Sequence, residues 1–236
     1  MSFTRLFQMI NLSLKSIKNS LTKSLSLTPK PNVSKKALVV IILAALCLVF
    51  IRYLTGFDRL VSFLEVIHLD SLGNYFTELR NNTHDKQLFD LIYWTACRVF
   101  FYLIIPVLVI KIFMKKRMSD FGWRLSDNLN KDLKIFVVFF CFMFPLVFWV
   151  STQDSFLLKY PFYRPASAEQ VFPNLLIWEL FYFLQFVSLE FFFRGFVVHG
   201  LKEEIGDYSV LVMIIPYCMI HFQKPFLETI GAIFAG

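Results

Sequence analysis

Residues 175–198 read LLIWELFYFLQFVSLEFFFRGFVV, a run in which only Glu179, Glu190 and Arg194 carry charge. A helix needs about 20 mostly apolar residues to cross the hydrocarbon core of a bilayer, so this stretch predicts a membrane-spanning helix. Charged side chains are costly at that depth unless they face protein, water or each other. The three charged residues are therefore candidates for a functional site.

Similar apolar runs occur along most of the chain. Together the predicted spans are Ala37–Leu54, Leu88–Met114, Leu133–Val150, Leu175–Val198 and Ser209–Phe222. The last run is short for a span, and we expect it to begin earlier, near Ile205. Leu227–Gly236 has the pattern of the opening of one more helix. The pattern predicts an all-α, polytopic transmembrane helical bundle with about five complete spans and the start of a sixth.

The composition supports a membrane protein over an ordinary soluble enzyme. Apolar residues make up 57% of the chain and charged residues only 17%, whereas soluble domains carry about 25% charged residues. The four cysteines lie in apolar runs and form no Cys-x-x-Cys pair, which argues against a disulfide framework and against a thiolate zinc site.

The net charge of +7 comes from the first 36 residues, which hold seven bases and no acid. Apolar residues recur there at steps of three and four, typical of a basic amphipathic helix on a membrane surface. We therefore predict a tail at 1–36 that contacts the lipids of the anionic inner leaflet, followed by a membrane domain at 37–236. The serine-rich composition also fits a transit peptide. The interleaved apolar residues favour lipid over nucleic acid as a partner.

Flanking bases predict the orientation of the spans, because Lys and Arg are retained on the cytoplasmic side. The tail and the connection after the second span, which carries Lys115, Lys116 and Arg117, are rich in bases. The alternating connections are poorer in bases, so the N-terminus should be cytoplasmic and the fourth span should run inward.

Glu190 and Arg194 are four residues apart and should share one helix face, where they can pair. Glu179 lies about three turns before Glu190 and should extend the pair into a polar seam that faces the bundle interior. His199, nine residues after Glu190, should lie on the opposite face. A structural ion pair and a transport relay through Arg98, Glu179 and Glu190 are the alternatives to a catalytic site.

Leu189-Glu190-Phe191-Phe192-Phe193-Arg194-Gly195, followed by Tyr217 and His221 with Lys224-Pro225 behind them, resembles the CAAX protease and bacteriocin-processing (CPBP, or Abi) family of intramembrane proteases. The family motifs have the form Glu-Glu-x-x-x-Arg and Phe-x-x-x-His, with a third motif on a later helix. The resemblance covers about residues 94–236 and is strongest from Leu175 onward. It implies that Glu190, Arg194 and His221 are catalytic residues.

The same resemblance implies an intramembrane endopeptidase of a bacterial plasma membrane, which acts on membrane-associated or lipidated proteins. Leu189 stands where the family has its first acid, and the chain ends at Gly236 before a third motif. We therefore expect the natural protein to continue with further helices. The missing acid leaves open a proteolytically inactive member that acts as a membrane scaffold or as a bacteriocin-immunity-type protein.

A metal-free mechanism, in which Glu190 and His221 activate water, is the expectation from these residues. A catalytic zinc ion normally has three protein ligands, and only Glu190 and His221 are plausible ones in this chain. We therefore predict no cofactor and no metal site, and zinc is the alternative, although this chain does not support it.

Overall fold

The computed structural model describes residue 15, residues 34–124 and residues 128–236. These ranges contain helices and no strand, which confirms the predicted all-α fold. Lys36–Gly236 forms one compact unit. The predicted amphipathic tail at 1–36 lies almost entirely outside the described residues, so both the tail and its boundary with the domain at 37–236 stay predictions.

Four long helices and five shorter ones lie in the described ranges. In chain order the helices of the described ranges are α1 (Lys35–Leu54), α2 (Phe57–Val66), α3 (Asp70–Asn82), α4 (Lys86–Phe113), α5 (Leu129–Ser151), α6 (Asp154–Leu157), α7 (Ala168–Ile205), α8 (Tyr208–Met219) and α9 (Phe226–Ala235). Near the start of α7, Phe172 has extended dihedral angles, so the continuous helical part of α7 follows that residue.

By length and apolar composition α1, α4, α5 and α7 could each cross a membrane, which confirms the first four predicted helices. The fifth predicted span differs, because α8 has only 12 residues and is about 18 Å long, well short of the roughly 30 Å of a bilayer core. The expected extension towards Ile205 is wrong, since Gly206 at φ 59° turns the chain between α7 and α8. The helix expected at Leu227–Gly236 is present as α9.

Polar contacts define the two ends of the bundle. At one end, called the Lys36 end, the Lys36 ammonium lies 3.0 Å from a carboxylate oxygen of Glu203, so the start of α1 meets the end of α7. At the other, called the Leu54 end, the Tyr93 hydroxyl donates to the Leu54 carbonyl over 2.6 Å. Both α4 and α7 run from the Leu54 end towards the Lys36 end.

The aromatic part of the core lies between α4, α7 and α8. Phe192, Phe193 and Phe196 of α7 are completely buried. The ring of Tyr102 on α4 lies 4.9 Å from that of Phe192, and the ring of Tyr217 on α8 lies 5.2 Å from that of Phe193. Helix α7 is therefore the element against which both neighbouring helices pack, whereas none of the side chains of α5 is buried in this chain.

Candidate functional site

Glu190 and Arg194 lie where α7 changes its helical form. Residues Phe191–Val198 form a π-helix directly after the α-helical part that ends at Glu190. Such segments, with i→i+5 hydrogen bonds, are often found at functional sites, and α4 contains two more, at Phe100–Ile104 and Val109–Phe113, so the helical form alone does not mark the site. The predicted ion pair between the Glu190 carboxylate and the Arg194 guanidinium is present, and the two side chains are 45% and 40% exposed. Their catalytic role stays a prediction.

The same π-helix brings His199 to the site, contrary to the prediction that it would lie on the opposite face. A π-helix advances fewer degrees per residue than an α-helix, so nine residues bring His199 back to the side of Glu190. Where the π-helix returns to the α form, the backbone N–H of His199 donates to the Gly195 carbonyl. The Arg194 carbonyl therefore does not receive the backbone N–H of His199. Its oxygen lies 2.8 Å from Nδ1 of the His199 side chain.

Glu190, Arg194 and His199 line one cavity of about 620 Å³. Its opposite wall is the segment that follows the 3₁₀ turn at Met118–Phe121, with Gly122, Trp123 and Arg124 in the lining. The Trp123 ring packs edge-on against the Phe191 ring at 5.2 Å between centroids. The site therefore combines one carboxylate, the guanidinium groups of Arg124 and Arg194, and one imidazole with aromatic walls.

Two glycines allow this wall to approach α7 closely. A Cβ atom on Gly195 would lie 2.9 Å from the Phe121 carbonyl oxygen, a rigid backbone atom. Gly122 has φ +80°, a conformation that side chains with a Cβ rarely adopt, and a Cβ there would lie 2.9 Å from the His199 ring. The shape of the cavity thus depends on glycine at both positions.

His221 lies one aromatic ring away from Arg194 and does not line this cavity. The Arg194 guanidinium is 5.6 Å from the centre of the Tyr217 ring, and the Tyr217 and His221 rings are 4.9 Å apart. His221 Nδ1 lies 2.7 Å from the Tyr217 carbonyl oxygen. Because a carbonyl can only accept, Nδ1 carries the hydrogen, and Nε2 is an acceptor in the neutral ring.

The register of α7 and α8 puts Glu190 and His221 at the same level of the bundle. The two helices are joined by the turn at Gly206 and run antiparallel, and Arg194 contacts Tyr217. Glu190 precedes Arg194 by four residues, and His221 follows Tyr217 by four. Because the helices run in opposite directions, both steps lead towards the Leu54 end.

The predicted polar seam is not formed. Glu179 is exposed, so it does not join Glu190 on an inward-facing stripe. Leu189, which the resemblance aligns with the first acid of the family motif, is only 5% exposed and packs in the core. Glu190 is therefore the acid of this motif region that reaches the cavity.

Sequence reasoning missed the contributions of His199, Gly122 and Trp123 to the site. The first depends on the π-helix, which α-helical spacing does not predict. The other two lie in a loop that follows the basic residues 115–117, and only tertiary packing places that loop on α7. In the part of the chain that the structure describes, no group of three or more His, Cys, Asp or Glu side chains is arranged to hold a metal ion.

No family model, no curated protein and no solved structure matches this chain.

Proposed function

We propose that this protein is an intramembrane endopeptidase that hydrolyses peptide bonds of membrane-associated or lipidated protein substrates. The observation that carries the proposal is that Glu190 and Arg194, two charged residues of a long apolar helix, line a cavity. They lie at the same level of the bundle as His221. Charged groups at such a place are expensive and are usually functional. The resemblance to the CPBP motifs assigns peptide hydrolysis to these three side chains.

In the proposed reaction Glu190 is the general base. Its carboxylate takes a proton from water while the water oxygen attacks the carbonyl carbon of the substrate. When the carbon–nitrogen bond breaks, that proton passes to the nitrogen of the leaving amine. Arg194 orients the Glu190 carboxylate. His221 lies outside the cavity lining, one aromatic ring from Arg194, and only the resemblance assigns it to the same water; its Nδ1–H is on the Tyr217 carbonyl, which leaves Nε2 to accept a hydrogen bond from the water.

The cavity suits part of a membrane-embedded or lipidated chain. Ligand cavities usually measure about 300–1,000 Å³ and combine apolar walls with a few polar groups. The rings of Trp123 and Phe191 supply apolar wall, and Glu190 and Arg194 supply the polar groups. The partial exposure of both side chains gives water and substrate access to the carboxylate.

The direct test is peptide hydrolysis by the purified chain in liposomes, with a library of membrane-anchored peptides that carry a fluorophore and a quencher. We expect cleavage by the wild type and a loss of about 10²–10⁴-fold in rate for His221→Ala. Full activity of a folded His221→Ala protein would contradict the proposal. Activity that disappears on complete chelation and returns with zinc would replace the metal-free mechanism by a metal-dependent one.

The location that fits this function is a bacterial plasma membrane, with the N-terminus and the Lys36 end of the bundle in the cytoplasm. The bases of residues 115–117 lie in the connection after α4, at the Lys36 end, and bases are retained on the cytoplasmic side. A reporter that is active only in the cytoplasm should therefore be active when fused before residue 1. Activity there of a reporter that works only outside the cytoplasm would reverse the orientation.

The second candidate function is a proteolytically inactive membrane scaffold or bacteriocin-immunity-type protein. The observations that favour it are the engagement of Glu190 by Arg194 and the buried Leu189 in place of an acid. An ion pair of this kind would lower the cost of placing both charges in a membrane. This function predicts that the cellular phenotype survives both Glu190→Gln and His221→Ala.

A further inference from the structure

A second cavity, of about 390 Å³, lies at the Leu54 end of the bundle and contains neither Glu190 nor His221. It is lined by charged side chains from five parts of the chain, namely Asp58, Arg80, Asp90, Arg98, Lys159 and Lys224. The proposed peptidase site uses none of them. The arrangement of these charges identifies a class of ligand.

Most of the charges in this cavity neutralise one another. The Arg80 guanidinium lies 2.6 Å from a carboxylate oxygen of Asp90 and 3.3 Å from one of Asp58. The Lys224 ammonium lies 3.1 Å from a carboxylate oxygen of Glu228. These pairs account for the acids at the cavity.

Arg98 has no carboxylate partner within the described ranges. Its guanidinium lies 4.0 Å from the centre of the Trp94 ring, and its Nε atom is buried without a hydrogen-bond acceptor. An arginine inside an apolar helix is costly when no anion faces it. Lys159 is a second cation without a carboxylate partner in that part of the chain, and it lies on the Phe162 ring of the same cavity.

The buried hydrogen-bonding atoms of this cavity that have no partner among the described residues include both donors and an acceptor, so a simple anion would not satisfy all of them. Within residues 34–124 and 128–236, Arg80 Nε and Arg98 Nε are buried donors without a partner, and Asp90 Oδ1 is a buried acceptor without one. A ligand that satisfies all three offers an oxyanion to the arginines and a hydroxyl or ammonium hydrogen to Asp90. Burial lowers the pKa of the Lys224 ammonium, an effect that Glu228 opposes, and a bound oxyanion would stabilise the charged form.

The helices beside this cavity favour a position near the lipid headgroups. Helices α2 and α3 form a pair at the same end of the bundle, and Gly73 of α3 packs against Val61 of α2. Val66 and Tyr75 of this pair are large apolar residues that stay exposed. A helix pair with exposed apolar side chains beside charged ones is typical of the interface between membrane and water.

We infer that this cavity binds the headgroup of a phospholipid, with the phosphate held by Arg98 and Lys159 and a headgroup hydroxyl or ammonium held by Asp90. Arginine suits this role because its planar guanidinium donates two parallel hydrogen bonds to phosphate oxygens. Bound lipid would supply the anion that Arg98 lacks among the residues that the structure describes. This inference does not depend on the proposed peptidase activity.

The test is lipid binding by the purified chain in an uncharged detergent, measured by native mass spectrometry. The ligands are short-chain phosphatidylglycerol, the matching diacylglycerol without phosphate, and inorganic phosphate. We expect phosphatidylglycerol to bind and diacylglycerol to bind at least about tenfold more weakly. Arg98→Gln should weaken phosphatidylglycerol binding by about 10- to 100-fold, as expected for the loss of hydrogen bonds to a charged group.

Two further variants make the test specific. Lys159 is exposed, so Lys159→Gln should fold even if Arg98→Gln does not, and it should weaken binding about two- to fivefold. Lys86→Gln removes the same charge at the same end of the bundle but outside the cavity, and it should bind like the wild type. Equal binding of phosphatidylglycerol by the wild type and a folded Arg98→Gln protein would overturn the inference, as would phosphate binding without phosphatidylglycerol binding.

Discussion

Replacing Glu190 with Gln should reduce peptide hydrolysis by about 10²–10⁴-fold, the usual contribution of a general base. The amide keeps the size of the side chain but cannot accept a proton from water at neutral pH. The loss should appear in the maximal rate, because the amide side chain would still line the cavity in which the substrate binds. The measurement is the rate of cleavage of a membrane-anchored peptide in liposomes, for protein of matched amount and fold.

Glu179→Gln is the matched control for this change. Glu179 lies on the same helix and is exposed, so its replacement removes the same charge without reaching the cavity. We expect this variant to keep wild-type activity. Equal activity of a folded Glu190→Gln protein and of the Glu179→Gln protein would exclude Glu190 as the base and would favour the structural ion pair.

Replacing Phe193 with Ala should lower the free energy of unfolding by about 3–5 kcal/mol, the range for removal of a buried phenylalanine ring. Phe193 is completely buried, and its ring contacts the rings of Phe192 and Tyr217 at 5.1 and 5.2 Å. Its removal opens a cavity between α7 and α8, and these helices hold Arg194 and His221 in register. The measurement is reversible unfolding in detergent micelles, followed by tryptophan fluorescence.

Phe183→Ala separates loss of packing from loss of hydrophobicity. Phe183 lies on the same helix, but its side chain is 68% exposed. Removal of its ring therefore breaks few contacts within the protein. The expected cost is about 0.5 kcal/mol or less, as for other surface substitutions. Similar costs for the two variants would mean that the aromatic core between α7 and α8 does not stabilise the fold.

The length of uninterrupted apolar runs predicted the long helices well and the short helix α8 poorly. The four long runs are recognisable because a stretch of about 20 apolar residues is typical of a membrane-spanning helix, and their observed bounds differ from the predicted ones by at most seven residues. The fifth run could not be delimited from hydrophobicity, since its start depends on the positive φ of Gly206. That glycine ends α7 and leaves α8 with 12 residues.

The sequence by itself determined the all-α class, the long helices and the pairing of Glu190 with Arg194, because helix formation and four-residue spacing are local properties. Tertiary structure decided the rest of the site. The π-helix at Phe191–Val198 rotated His199 onto the cavity, close packing at Gly195 brought the loop at Gly122 against α7, and antiparallel packing of α8 placed His221 level with Glu190. The positions of the Gly122 loop and of His221 depend on contacts between residues that are distant in sequence. The position of His199 depends on a helical period that the composition does not reveal. The site is therefore complete only when the aromatic core is assembled.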